Sequence, residues 1–376
     1  MRRHTRTRKP RGASVVGRRF EVEVGPVAHG GHFVARADDR VIFVRHALPG
    51  EKVLVELTEG TEGDKFWRGD AIEILTASPD RVAAPCRYAG PGLCGGCDFQ
   101  HVALDAQRDL KAAVVAEQLR RVAKLDVDVT VEAVPGDVDG LRWRTRQRYV
   151  ELRGGGRGMR KHRSHDVLPV DECLLEAPTG PSYEVRGRGF EVADGGFWQV
   201  HPGAPETLVE AVLEALEPQP GESAIDLYAG VGLFSRFLAD AVGPGGRVAA
   251  VEGDPEASRL SERNVPGVLA RAGDVAAVLA GGLPPEWDTA DLVVLDPPRV
   301  GAKRAVVEEI VRRRPRAIAY VACDPAALAR DVAIFGEHGY RLRTLRAFDL
   351  FPMTHHVECV ALLETGGAEL RRGDSG

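Results

Sequence analysis

The chain has 376 residues, 44% of them hydrophobic, and a formal net charge of -5. That length predicts two or three domains, and no run nears the ~18 consecutive apolar residues of a membrane span. The basic N-terminus lacks the apolar stretch of a signal peptide, so membrane and secreted classes are disfavoured and the cytoplasm is expected.

Residues 1–13 carry six Arg or Lys and no acid, which predicts a disordered basic tail. Over 14–77, apolar residues alternate in the strand manner (Phe20, Val22, Val24; Val41, Phe43; Val53, Val55, Leu57) between Gly-rich turns. This predicts a small OB-like β-barrel. A central region over 78–190 follows. It opens with Cys86, Cys94 and Cys97, continues through a helical pattern from about Leu104 to Val122, and ends past Cys173. Within it, residues 142–163 carry nine Arg or Lys against the single acid Glu151. Arginines interleaved with Trp143 and Tyr149 suit RNA, whose bases stack while guanidinium groups meet phosphates. Arg142, Arg144, Arg146, Arg148, Arg160 and Lys161 are the candidate RNA contacts, and no feature implies a protein partner.

From about Ala204 the pattern changes to helices alternating with the apolar strands SAIDLYA, RVAAVE, DLVVLD and AIAYVAC. This predicts a Rossmann-like α/β domain with a parallel sheet over 191–366, followed by a tail over 367–376. Ligands of such sheets bind beyond the carboxyl ends of the strands. The first strand runs into Tyr228-Ala229-Gly230-Val231-Gly232, a Gly-rich turn opening a helix. Ser235 stands where a dinucleotide fingerprint needs a third glycine. Glu252 ends the second strand, placed for ribose hydroxyls, and Asp274 follows the third, placed for an adenine amino group. An adenosine pocket without a pyrophosphate cradle suits S-adenosylmethionine. The fourth strand ends in Asp296-Pro297-Pro298, whose prolines make a rigid lip.

The fifth strand delivers Cys323 at the start of a helix that Asp324 caps and Pro325 opens. A helix N-terminus favours the thiolate, and the neighbouring carboxylate opposes it. Carbon 5 of uracil is a poor nucleophile until a thiolate adds to carbon 6. Such chemistry also needs a base for the carbon 5 proton. Glu358, an acid inside an apolar strand, is the candidate, with His355 or His356 as alternatives. Cys359 reads as a packed strand thiol. Cys86, Cys94, Cys97 and Cys173 supply four thiolates, enough for a tetrahedral zinc or an iron–sulfur cluster.

Together these motifs resemble the RNA uridine-5-methyltransferase family, class I S-adenosylmethionine-dependent enzymes that act on transfer or 23S ribosomal RNA. The segment 14–77 is similar to a TRAM domain. The resemblance implies that Cys323 is the nucleophile and Glu358 the proton acceptor. It also implies that the four other cysteines ligate a 4Fe-4S cluster, and that Gln199 joins Tyr228, Gly230, Gly232, Glu252, Asp274 and Asp296 at the cofactor. The chain departs from the family where Ala322-Cys323-Asp324-Pro325 replaces Ser-Cys-Asn-Pro, and where His201 and Leu233 replace Asn. A cytosine-5 methyltransferase and a non-catalytic RNA-binding protein with a metal module are the competing readings.

Overall fold

A computed structural model describes residues 12–366, so most of the expected basic tail and all of the 367–376 tail lie outside the described residues. The described chain forms two compact units. The first takes 12–110, 148–174 and 352–355, and the second takes 111–147, 175–351 and 356–366.

Six strands open the first unit: β1 (Arg19–Glu23), β2 (Val27–Ala28), β3 (His32–Ala37), β4 (Arg40–Arg45), β5 (Lys52–Glu59) and β6 (Phe66–Thr76). Their order is β1-β5-β6-β4-β3-β2, antiparallel throughout except for the β4–β6 pair. Val53, Val55 and Leu57 alternate into the core as their spacing predicts. Just past β1, the Val24 amide donates to Glu51 O and the Gly25 amide to Val34 O. The first bond extends the β1–β5 pairing, and the second ties the end of β1 across the sheet order to β3, curling the sheet toward a barrel. A second sheet of three short strands, Val150–Glu151, Arg157–Arg160 and Val167–Pro169, carries much of the basic run. It meets the cysteine loop where Cys94 bridges to Lys161 and the Gly95 amide donates to Arg160 O. A side chain at Gly95 would press on the His162 backbone at 2.7 Å, so only glycine permits this approach.

The stretch expected as a single central region is therefore shared between the units. Its basic hairpin packs on the cysteine loop, whereas residues around Val131 and Leu175 pair with other parts of the second unit. The helix α1 (Leu104–Gln118) carries the chain from the first unit into the second and ends in a π-helical turn over Leu119–Ala123.

The second unit is an open sheet flanked by helices. Its principal strands are β7 (Ser223–Leu227), β8 (Arg247–Glu252), β9 (Leu269–Ala272), β10 (Leu292–Leu295), β11 (Ala317–Ala322), β12 (Tyr340–Phe348) and β13 (Glu358–Thr365). They lie in the order β9-β8-β7-β10-β11-β13-β12, extended at the edge by Val131–Glu132, with only β13 running against its neighbours. The central strands are buried on both faces, which is why they read as continuous apolar runs. Between them stand α2 (Ala204–Leu216), α3 (Leu233–Val242), α4 (Pro255–Asn264), α5 (Val275–Gly281), α6 (Lys303–Arg312) and α7 (Pro325–Glu337). The order reverses between β7 and β10, and that reversal opens a crevice at the strand ends. No helix of the described residues is long and apolar enough to cross a membrane.

Candidate active site

A cavity of about 860 Å³ lies in the second unit at those strand ends. Gln199, Tyr228, Gly230, Glu252, Asp274, Asp296, Cys323 and Glu358 all line it. The turn after β7 explains half of this arrangement. Tyr228 takes a positive φ of 60°, costly for a tyrosine, which sets the chain turning directly from the strand. Glu252 then fixes the loop: its carboxylate accepts from the Gly230 amide at 2.8 Å and the Asp254 amide at 2.7 Å. Each oxygen retains a lone pair for a ribose hydroxyl. Asp274 caps α5 through the Ala277 amide at 3.1 Å while facing the cavity.

Gly232 does not line the cavity. It has φ 92° at the start of α3, and a Cβ there would stand 3.0 Å from Val265 and 3.1 Å from Ser261. Helix packing by itself constrains this position to glycine. Ser235 answers a different need, since its amide and hydroxyl both donate to the fully buried Asp226. Burial still pushes the Asp226 carboxyl up to about 7.

The reacting groups come from neighbouring strands. Ala322 on β11 pairs with Cys359 on β13, so Cys323 and Glu358 sit one step beyond that pair at the cavity wall. Asp324 caps α7 through the Ala327 amide at 2.9 Å, as its sequence position predicts. Cys323 is nonetheless far from a thiolate. Burial, then the charges of Glu358 and Asp296, push its thiol up to about 12, and only Arg299 opposes them. Glu358 is 4% exposed, and its Oε1 has no hydrogen-bond partner among the described residues. Burial and the neighbouring Asp296 hold its carboxyl well above the usual range. Asp296 is raised in turn by burial and Asp226.

The two candidate histidines separate. His356 lines the cavity and meets the Arg299 guanidinium, 2.8 Å from Nε2. His355 belongs to the first unit, where its Nδ1 lies 2.6 Å from Asp98. Spacing alone could not distinguish one adjacent histidine from the other. Arg299, Phe351 and His356 are wall residues to which the sequence motifs gave no cofactor role. Arg299 follows the Pro-Pro lip directly, which is the signal that could have found it.

The basic run also divides. Arg146 donates to Gly195 O at 3.3 Å and Gly196 O at 2.5 Å, and Thr145 binds Val200 O through both amide and hydroxyl. Arg144 donates to Arg146 O. Arg146 and Thr145 strap the loop that carries Gln199, and Arg144 braces Arg146, so both arginines have a part in supporting the cavity wall. Trp143 is buried against His201 and Phe351, which removes it from base stacking. Arg142, Arg148 and Arg160 are exposed, and Lys161 is half-buried.

In the first unit, no three His, Cys, Asp or Glu side chains among the described residues are set to grip a single metal ion. The four expected ligands do lie within electrostatic reach of one another. Burial above all pushes the Cys94 and Cys97 thiols up, and Cys173 and Cys86 add to it. The Gly96 amide donates to Cys94 Sγ at 3.4 Å and Gln100 Nε2 to Cys97 Sγ at 3.4 Å.

Comparison with known proteins places the chain in a family. Residues 286–366 match the family model "tRNA (Uracil-5-)-methyltransferase" and residues 13–72 the "TRAM domain" model. An uncharacterized RNA methyltransferase of Streptomyces avermitilis is 45% identical over 93% of this chain and 99% of its own length. A 23S rRNA (uracil(1939)-C(5))-methyltransferase of Methylococcus capsulatus is 30% identical over 96% of this chain and 99% of its own. Among solved structures, the Pyrococcus abyssi tRNA (uracil-54, C5)-methyltransferase, in complex with S-adenosyl-L-homocysteine, superposes with a TM-score of 0.64 at 21% identity. It covers 92% of this chain and all of that one, and shows the shared fold. The cavity's acids and Gly-rich turn suit an adenosine, and the chain belongs to the family of S-adenosylmethionine-dependent RNA (uracil-5-)-methyltransferases.

Proposed function

We propose that the protein methylates carbon 5 of a uridine in 23S ribosomal or transfer RNA through a covalent adduct of Cys323. The observation that carries this reading is the convergence of Cys323 and Glu358 on the cavity that also holds Glu252 and Asp274. Gln199, Tyr228, Gly230, Glu252, Asp274 and Asp296 would hold S-adenosylmethionine. When bound, it supplies an electrophilic methyl group on a sulfonium.

Cys323 gives up its proton to solvent and adds its sulfur to ring carbon 6, making carbon 5 nucleophilic. Once carbon 5 carries the methyl group, Glu358 removes the carbon 5 proton. The carbon 6–sulfur bond then breaks and Cys323 leaves with the electron pair. Glu358 is suited to this because its Oε1 is buried and free to accept, and its raised pKa makes it a stronger base. Arg299 is the cation that tempers both groups. The test is to incubate the protein with RNA and methyl-labelled cofactor and to digest the product. Label in 5-methyluridine supports the reading, and label in 5-methylcytidine replaces it with the cytosine alternative.

We propose further that Cys86, Cys94, Cys97 and Cys173 hold a 4Fe-4S cluster. The N–H donors at Cys94 and Cys97 support it, since they stabilise thiolates. A single zinc at Zn–S ~2.3 Å would draw its sulfurs to roughly 3.8 Å of one another, and a cluster spreads its ligands wider. Anaerobically purified protein should be brown and bleach on reduction. Colourless protein with stoichiometric zinc overturns the cluster.

A further inference from the structure

A second cavity, of about 440 Å³, lies wholly within the first unit. Its walls come from β3 to β6 of the barrel and from the turn 161–166 that leaves the basic hairpin. Its size falls in the range of small-ligand sites. Two buried polar atoms lack a partner there, and a buried guanidinium stands beside them. His32 Nε2 and His162 Nε2 are buried with no hydrogen-bond partner among the described residues. Arg45 is only 5% exposed, and its contacts to Cys97 O and Asp98 Oδ1 are both at the 3.5 Å limit. Buried polar atoms are nearly always satisfied, so an arrangement that leaves two without partners in one roomy cavity calls for a polar occupant.

The mouth of the cavity indicates what that occupant is. Arg68 and Arg163 each reach Glu59 at 3.4 and 3.3 Å, through ion pairs exposed enough to exchange for another anion at little cost. The Arg68 guanidinium also stacks on the half-exposed Phe66 ring, 4.9 Å from its centroid, and Phe66 packs edge-on against Phe43 in the cavity wall. Cations at the rim, an aromatic platform beside them and hydrogen-bonding groups within match the three parts of a nucleotide: phosphate, base face and base edge.

We infer that this cavity binds one nucleotide of the RNA substrate, separate from the uridine that is methylated. Its phosphate would lie at Arg68 and Arg163, and its base edge at Arg45, His32 and His162. The inference rests on the RNA reading above and adds an anchor point on the first unit.

The test uses the full chain with S-adenosylhomocysteine at saturating concentration, so that the strand-end cavity is filled, and titrates AMP, GMP and CMP by calorimetry or NMR. One of them should bind saturably at one site. Arg163→Glu should weaken it about fivefold or more by reversing a phosphate-facing charge. His162→Leu should weaken it by removing a base-edge partner, and an unchanged circular-dichroism spectrum and thermal unfolding profile verify that both variants are folded. The inference is overturned by absence of saturable binding, by equal binding to both variants, or by inorganic phosphate binding as tightly as the nucleotides, which marks an anion site only. Methylation of RNA by the unaltered protein, measured in parallel, separates failure of this inference from failure of the RNA reading.

Discussion

The molecule holds two populations of buried thiol, and burial acts on both in the same direction. Cys323 at the end of β11 and Cys97 in the cysteine loop are each driven toward the protonated form by loss of water. Their surroundings then diverge. Cys323 is ringed by Glu358 and Asp296, with Arg299 as counterweight, whereas Cys94 and Cys97 meet other thiols and N–H donors. Under the proposed reaction, the first setting keeps the proton on Cys323 until a substrate arrives. In the second, under the proposed cluster, the thiols would lose their protons to solvent as iron binds. The difference teaches that a cysteine's role lies in its neighbours' charge rather than its depth.

Removing each kind of thiol tests this most severely. Cys323→Ala should lower turnover on the order of 10⁴-fold or more while leaving the brown colour intact, because the reacting atom itself is gone. Cys94→Ser should lose the colour yet keep cofactor affinity. Loss of both properties in either variant would erase the distinction.

Glu358→Gln should split turnover from thiol reactivity. Turnover should fall about 10²- to 10⁴-fold for want of a base. Alkylation of Cys323 by iodoacetamide should accelerate, since one of the charges that raise its pKa is neutralised. A slower alkylation would mean that Glu358 activates the thiol, contrary to the electrostatics.

A smaller effect is expected at the loop strap. Arg146→Ala removes donors to Gly195 and Gly196 and should weaken cofactor binding roughly tenfold, the scale of one charge-assisted hydrogen bond. RNA binding should change less than cofactor binding. The reverse ranking would restore Arg146 to the RNA surface.

The smallest signal is the pH dependence of the same alkylation in cofactor-free protein. With the thiol near 12, its thiolate fraction should rise about tenfold per pH unit across the neutral range, without a plateau below pH 10. A plateau near pH 8 would place the thiol in an ordinary setting.

Much of this site was legible because strand ends are local features. Asp324 before Pro325 marks a helix start, Glu252 and Asp274 close apolar runs, and Glu358 stands out as an acid inside a strand. Periodicity and capping encode all of them. Arg146 and Trp143 read as nucleic-acid contacts because composition records charge and aromaticity but not the direction of a side chain. Their true neighbours, Gly195 and His201, are about fifty residues away in sequence. The split of 78–190 between units was hidden for the same reason, since the pairing of Cys94 with Lys161 is a long-range event. Gly232 shows a third source of ambiguity: packing against Val265 and Ser261 by itself asks for glycine at a motif position.

Everything at the strand-end cavity turns on whether Cys323 bonds to the uracil ring and Glu358 completes the reaction. RNA carrying 5-fluorouridine tests this directly, because fluorine at carbon 5 leaves no proton for Glu358 to remove. With cofactor present, the unaltered protein should form an RNA adduct that survives denaturation, and Cys323→Ala should form none. No adduct from the unaltered protein, or an undiminished one from Cys323→Ala, would contradict covalent catalysis by Cys323.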